Sequence, residues 1–276
     1  MANFTAADIK KLREQTAAGM LDVKRALEEA DGDMAKAAEI LRIKGLKGVT
    51  KREGRSASNG LVAASVADGV GTMVEVNCET DFVAKGERFL ALAEAVLAQA
   101  VTTGITDADA FAASTLTDGR TVKDLLEEGN AATGERIVVR RIARVTGERV
   151  TLYLHRTSKD LPPQIGVLLA TTGGDETVAR EVAQHIAAFS PTVLSREDVP
   201  EETVANERRI AEATAREEGK PEAALPKIIE GRVNGYFKEN VLLDQAFAKD
   251  QKKSVAQVLK EAGAQATGFA RFRVGN

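Results

Sequence analysis

The chain has no tryptophan, two tyrosines, nine phenylalanines, two histidines and one cysteine in 276 residues. A lone cysteine, Cys78, closes no internal disulfide, which fits a reducing cytoplasm. Its strand also carries Val74 and Val76, so a buried, inert thiol is expected in place of a nucleophile. One Cys with His155 and His185 matches no zinc-ligand spacing and leaves an enzyme short of convergent groups. Gly69-Val70-Gly71 lacks the third glycine of a dinucleotide fingerprint and precedes a strand. Gly173-Gly174-Asp175 has no Lys-Ser/Thr follow-up and reads as a plain helix start, so no cofactor or metal is expected. A basic surplus is also missing, with 38 Lys and Arg against 41 Asp and Glu, which argues against a protein built to grip nucleic acid. No apolar run approaches the roughly 18 residues of a membrane span. Met1-Ala2-Asn3-Phe4 does not open a signal peptide, so the chain is expected to be cytoplasmic and not an enzyme. With aromatics so scarce, the cores must be aliphatic and alanine-rich. A phenylalanine outside a periodic apolar pattern then carries unusual information.

The length exceeds one typical core. Residues 4–44 read as three short helices. Thr5-Ala6-Ala7-Asp8 forms a capping box with Ile9 and Leu12 behind it. Met20, Val23, Leu27 and Ala30 stripe the second helix, and Asp33 caps a third that carries Met34, Ala37, Ala38 and Leu41. Residues 44–60, with Lys44, Lys47, Lys51, Arg52 and Arg55 among glycines and serines, read as a solvated tether. The expected division is therefore 1–54 for the helical head and linker, 55–146 for a first core subdomain and 147–276 for a second.

Those two subdomains read as a weak internal repeat. The first runs strand 61–67, an Asp68-Gly69 turn, strand 72–78, helix 87–100, helix 121–128 ending at Gly129, and strand 136–145. The second runs strand 149–155, strand 165–171, helix 175–189, then helix 254–262 and strand 268–274. Small antiparallel sheets with helices on one face give an α+β class. A charged helical hairpin is inserted over about 196–245, with Leu225, Ile228, Ile229, Val233 and Phe237 on its return helix. So thin a seam makes self-association through the hairpin possible.

The repeat singles out one loop. After strand 165–171 the second copy continues Thr172-Gly173-Gly174-Asp175, whereas the first has Glu79-Thr80-Asp81-Phe82-Val83. Similar folds do not need an apolar pair there, so Phe82 is either a staple onto its own helix or a partner's contact. The run Thr80-Asp81-Phe82-Val83-Ala84-Lys85 resembles the signature of the bacterial elongation factor Ts family, and the resemblance extends over the whole chain. It implies a ubiquitin-associated-like three-helix head and a guanine-nucleotide exchange factor for elongation factor Tu. Such a factor binds Tu with GDP, disturbs its Mg²⁺ and phosphate site, and stays on the nucleotide-free form until GTP binds. It implies that Thr80, Asp81, Phe82 and Val83 contact Tu and dislodge Mg²⁺. Arg13, Gly19, Met20 and Leu21 in the head, and His155 in the second copy, are further implied contacts. On the residues alone, Met20 and Leu21 read sooner as core and Arg13 as a solvated helix charge. For His155 the residues equally allow a bland surface position. Many members carry a further helix after the last strand, and a contact through that helix is not expected with Val274-Gly275-Asn276 in its place. The rival reading is an adaptor whose ubiquitin-associated-type head binds another protein.

Overall fold

The computed structural model describes residues 4–16, 20–41 and 56–275. The head begins with α1 (Ala6–Thr16) and α2 (Met20–Glu29), followed by α3, helical from 34 to 41 where the described segment stops. The expected capping box forms: Thr5 N–H donates to Asp8 Oδ2 at 2.8 Å and Asp8 N–H returns to Thr5 Oγ1 at 3.3 Å. Asp33 Oδ1 accepts from the backbone of Ala35 and Lys36 to start α3. Leu12, Val23, Ala26, Leu27, Ala30, Ala37 and Leu41 make one buried cluster. Met20 is not part of it, contrary to the stripe read from the sequence; Val23, Ala26, Leu27 and Ala30 already supply the i, i+3, i+4, i+7 face. Gly19 and residues 44–55 of the tether lie outside the described residues.

The remainder contains two three-stranded antiparallel sheets. The first orders β1 (Asn59–Ala67), β2 (Val70–Cys78) and β3 (Val138–Thr146). The second orders β4 (Arg149–His155), β5 (Ile165–Gly173) and β8 (Ala264–Arg273). Asp68 and Gly69, with φ of 50° and 72°, make the left-handed pair that a two-residue hairpin turn between β1 and β2 requires. The helices of the first copy are α4 (Asp81–Ala84), α5 (Glu87–Thr103), α6 (Ala108–Ala113) and α7 (Val122–Thr133). The second copy has α8 (Glu176–Phe189) and α11 (Val255–Glu261), with a small hairpin of β6 (Ala246–Phe247) and β7 (Asp250–Ser254) before α11.

The sheets lie back to back, with helices on their outer faces. Val74, Val76 and Cys78 of β2 pack outward on Phe89, Leu92 and Val96 of α5. Val167 and Leu169 of β5 pack outward on Val178, Val182 and Ile186 of α8. Between the sheets Val62 and Met73 meet Val150, Leu168, Ala170 and Phe272. A Cβ at Gly166 would stand 2.5 Å from Val62 Cγ1, so glycine lets the sheets approach here. The middle strands are therefore buried on both faces. Tyr153 packs against the α8 cluster, so this face of β4 is turned toward the helices.

Facing inward beside Met73 is a fully buried carboxylate, Glu75. Arg141 Nε donates to it at 2.7 Å, and the Gly275 N–H donates to its second oxygen at 3.3 Å. Arg141 also donates to the Arg273 carbonyl at 3.0 Å and lies over the Phe272 ring at 4.6 Å. A buried charge held this way ties β2 and β3 to the end of β8.

The insertion is the expected hairpin: α9 (Glu201–Glu217) against α10 (Leu225–Asn240), with only Ala211, Ala215, Leu225 and Val233 fully buried along both helices. Arg196 anchors its root, donating to Asp244 at 2.5 Å and Asn234 at 3.1 Å.

Candidate partner-binding site

The turn after β2 is built from short-range rules and one long-range clamp. Thr80 takes an extended conformation (φ −123°, ψ 158°) and its hydroxyl oxygen accepts the Val83 N–H at 3.4 Å, capping α4. In one turn of helix, successive side chains point about 100° apart. Ala84 goes fully into the α5 cluster, Val83 packs against it, and Phe82 is turned out, 75% exposed. The staple alternative is thereby excluded. Lys85 Nζ lies 4.6 Å from the Phe82 ring centroid and 3.5 Å from Asp81 Oδ2, covering one face of the ring.

The clamp comes from the segment between α7 and β3. Glu135 Oε2 accepts the N–H groups of Glu79 (3.1 Å) and Thr80 (3.0 Å), and Oε1 accepts the Thr80 hydroxyl at 2.5 Å. In return, Arg136 N–H donates to Glu79 Oε1 at 2.7 Å, and Asn59 Nδ2 donates to the Glu79 carbonyl at 2.8 Å. Beneath them the Cys78 thiol donates to the Thr80 carbonyl at 3.2 Å. Burial, then the Glu135 charge, pushes that thiol up to about 12, so it stays protonated and inert. Among the described residues no group of three or more His, Cys, Asp or Glu could hold a metal ion, and no helix is long and apolar enough to cross a membrane.

The corresponding corner of the second copy presents no large apolar side chain. Asp175 caps α8 by accepting the Val178 N–H at 2.9 Å. Gly173 and Gly174 have φ of 62° and 65°, and a Cβ at Gly173 would stand 2.4 Å from the Gly263 carbonyl oxygen. These glycines are demanded by crowding against β8, beyond simply starting a helix.

The structure brings Thr80, Asp81, Phe82 and Val83 into one turn and leaves the other implied contacts elsewhere. Met20 and Leu21 are 61% and 60% exposed at the start of α2, and Arg13 is exposed on α1. Exposed His155 ends β4, with Nδ1 3.1 Å from the Tyr153 hydroxyl.

The elongation factor TS family model matches residues 79–276, beginning at the first residue of this turn. The chain is 63% identical to the elongation factor Ts of Micrococcus luteus and 64% identical to that of Renibacterium salmoninarum, in both cases over 100% of each chain. To the elongation factor Ts of Acidothermus cellulolyticus it is 61% identical, over 100% of this chain and 99% of that one. The chain belongs to the elongation factor Ts family. It is thus a factor of translation elongation in protein biosynthesis.

The sequence reading missed Glu135. Helix α7 was expected to stop at Gly129 but continues to Thr133, with Gly134 as its left-handed cap. The cue was the Thr133-Gly134 pair, which closes the helix where Gly129 does not. His185, the other histidine, is structural: Nδ1 accepts the Ala248 N–H at 3.2 Å, Nε2 faces Gln245 Oε1 at 2.8 Å, and the ring stacks on Phe189. Burial holds its pKa below the ordinary 6.5.

Proposed function

We propose that this chain is a guanine-nucleotide exchange factor for elongation factor Tu in the cytoplasm, working by binding and with no catalytic chemistry or cofactor of its own. The observation that carries the reading is Phe82: a large ring held three-quarters exposed on a turn that is capped, clamped and seated on the first-copy core. The ring wedges into the nucleotide-binding domain of Tu, with Thr80, Asp81 and Val83 fixing the approach, and shifts the elements that hold Mg²⁺ and the β-phosphate. Linkage makes the effect reciprocal: factor and GDP each weaken the other's binding, and excess GTP completes the cycle. The factor must bind the distorted state more tightly, since equal affinity for both states shifts nothing.

Burying one Phe is worth about 1.5–3 kcal/mol, or one to two decades in affinity. More contacts are therefore required. The exposed Met20–Leu21 pair, with Gly19 and Arg13, supplies them from a ubiquitin-associated-like head, and His155 supplies one from the second subdomain. In this reading 1–54 is the head with its tether, and 55–146 and 147–276 are the two core subdomains. Nucleic acid is not a direct partner.

Substoichiometric protein should accelerate release of a fluorescent GDP from Tu of the same organism, because an exchange factor turns over. Release at the intrinsic rate would remove the proposal. Capture of a different protein through Met20 and Leu21 would favour the adaptor reading.

A further inference from the structure

The two copies of the core close the same corner differently. In the second, α11 ends at Glu261, Gly263 turns left-handed with φ of 65°, and β8 starts at once at Ala264. In the first, α7 runs through Gly129 to Thr133, Gly134 caps it with φ of 78°, and Glu135, Arg136 and Ile137 precede β3. A Cβ at Gly129 would stand 2.5 Å from Leu92 Cδ1, so glycine lets this longer helix pass close to α5. Both third strands pair antiparallel with their middle strands, so sheet formation does not demand the extra length. The added segment carries Glu135 to the turn.

Glu135 collects two backbone N–H groups and one hydroxyl on a single carboxylate. Because the Thr80 hydrogen goes to Glu135, the lone pairs of Thr80 Oγ1 remain free to accept the Val83 N–H. The carboxylate therefore fixes the rotamer of the cap that starts α4. Four residues of helix have no stability of their own, and hydrogen bonds to an ionised acceptor are about twice as strong as neutral ones.

We propose that Glu135 is a positioning residue: it holds the Thr80–Val83 turn in its binding form before the partner arrives, so that affinity gained by Phe82 is not spent on ordering the turn. Its role in exchange rests on the reading of this chain as a Tu exchange factor. The rigidity of the turn does not, and each is tested separately.

The chain lacks tryptophan, so Phe82→Trp places a single indole on the turn. Time-resolved anisotropy of that variant alone, and combined with Glu135→Gln and Glu135→Ala, reports the local motion without any partner. Glu135→Gln keeps the side chain's size and one oxygen for the backbone N–H groups, but sets an NH₂ against the Thr80 hydroxyl. The amplitude of fast depolarisation should rise from Glu to Gln to Ala, at temperatures where circular dichroism shows every variant folded. Unchanged indole motion in the Ala variant overturns the proposal; should that variant fail to fold, the Gln variant decides on the same criterion.

With Phe82 present, Glu135→Gln should slow stimulated GDP release about tenfold at subsaturating factor, equivalent to about 1.4 kcal/mol. In a Phe82→Ala background the same substitution should cost almost nothing, since no ring is left to position. An equal loss in both backgrounds overturns the positioning role. If Phe82→Ala itself leaves stimulated release unchanged, the wedge fails and the anisotropy series alone judges the clamp.

Discussion

At Phe82 the fold and the proposed function make opposite demands on one side chain. Its ring lies outside the core, so Phe82→Ala should lower stability by no more than about 1 kcal/mol, against the 3–5 kcal/mol usual for a buried Phe such as Phe89. GDP release should meanwhile fall toward its intrinsic rate. Thermal denaturation and a release assay on one preparation check both; an unfolded variant, or unchanged release, would remove the wedge. Asp81→Ala deletes a half-exposed pair with Lys85 and should shift stability by about 0.5 kcal/mol or less, while slowing release. His185 predicts a pH dependence. It is buried with a depressed pKa, whereas in the unfolded chain it titrates near 6.5. The unfolded state therefore binds the extra proton, and the histidine's contribution is intact above pH 6.5 and is lost as pH falls toward the depressed value. Urea midpoints measured from pH 7.5 to 5 should decline, and the decline should be shallower in His185→Asn. Phe82 was legible because aromatics are rare and its repeat counterpart has none. Glu135 was not, because its partner Thr80 is 55 residues away and only tertiary structure joins them.

Among the elements, the signals that survive from sequence are local. Thr5–Asp8, Thr121–Asp124 and Ser254–Gln257 all form reciprocal caps, and each helix starts where its cap sits. Only the first of these was read as a capping box. Helix ends were harder. Gly129 reads as a stop, yet packing against Leu92 and Ile137 carries α7 past it and overrides the glycine's weak local preference. The short α6 and the β6–β7 hairpin escaped because α6 has six residues and β6 two, and the five of β7 include no apolar residue to alternate. Gly173 supplies the control for the turn. Gly173→Ala forces a left-handed φ of 62° on a side chain 2.4 Å from a carbonyl oxygen and should cost more than about 1 kcal/mol. Exchange per folded molecule should nevertheless stay at the parental rate. A loss of exchange comparable to that of Phe82→Ala would mean the two corners act together.

Across the whole molecule, the repeat disclosed two sheets but not their back-to-back contact. Along β2, Met73 and Glu75 face the second sheet while Val74 and Val76 face α5. The head keeps its own buried cluster, drawn among the described residues from positions 12–41 alone. Deleting residues 1–54 should therefore leave a cooperatively folded core with a near-parental melting midpoint, yet weaken Tu binding and exchange. Full activity in the truncated protein would return Met20 and Leu21 to bystanders.

The buried Glu75 charge has a consequence for how the protein is made. Its partners are Arg141 on β3 and the backbone of Gly275, and Arg141 in turn rests on Arg273 and Phe272. While a ribosome is still translating the hairpin, Glu75 and Arg141 have been synthesised but Phe272, Arg273 and Gly275 have not, and β5 has yet to receive β8 as its second neighbour. β4 and β5 can already cover Val62 and Met73, but the enclosure of Glu75 stays incomplete until residues 272–275 arrive. Closure of the second sheet is therefore expected only once β8 has been made, and nascent chains arrested within the insertion should show an unprotected β5 edge.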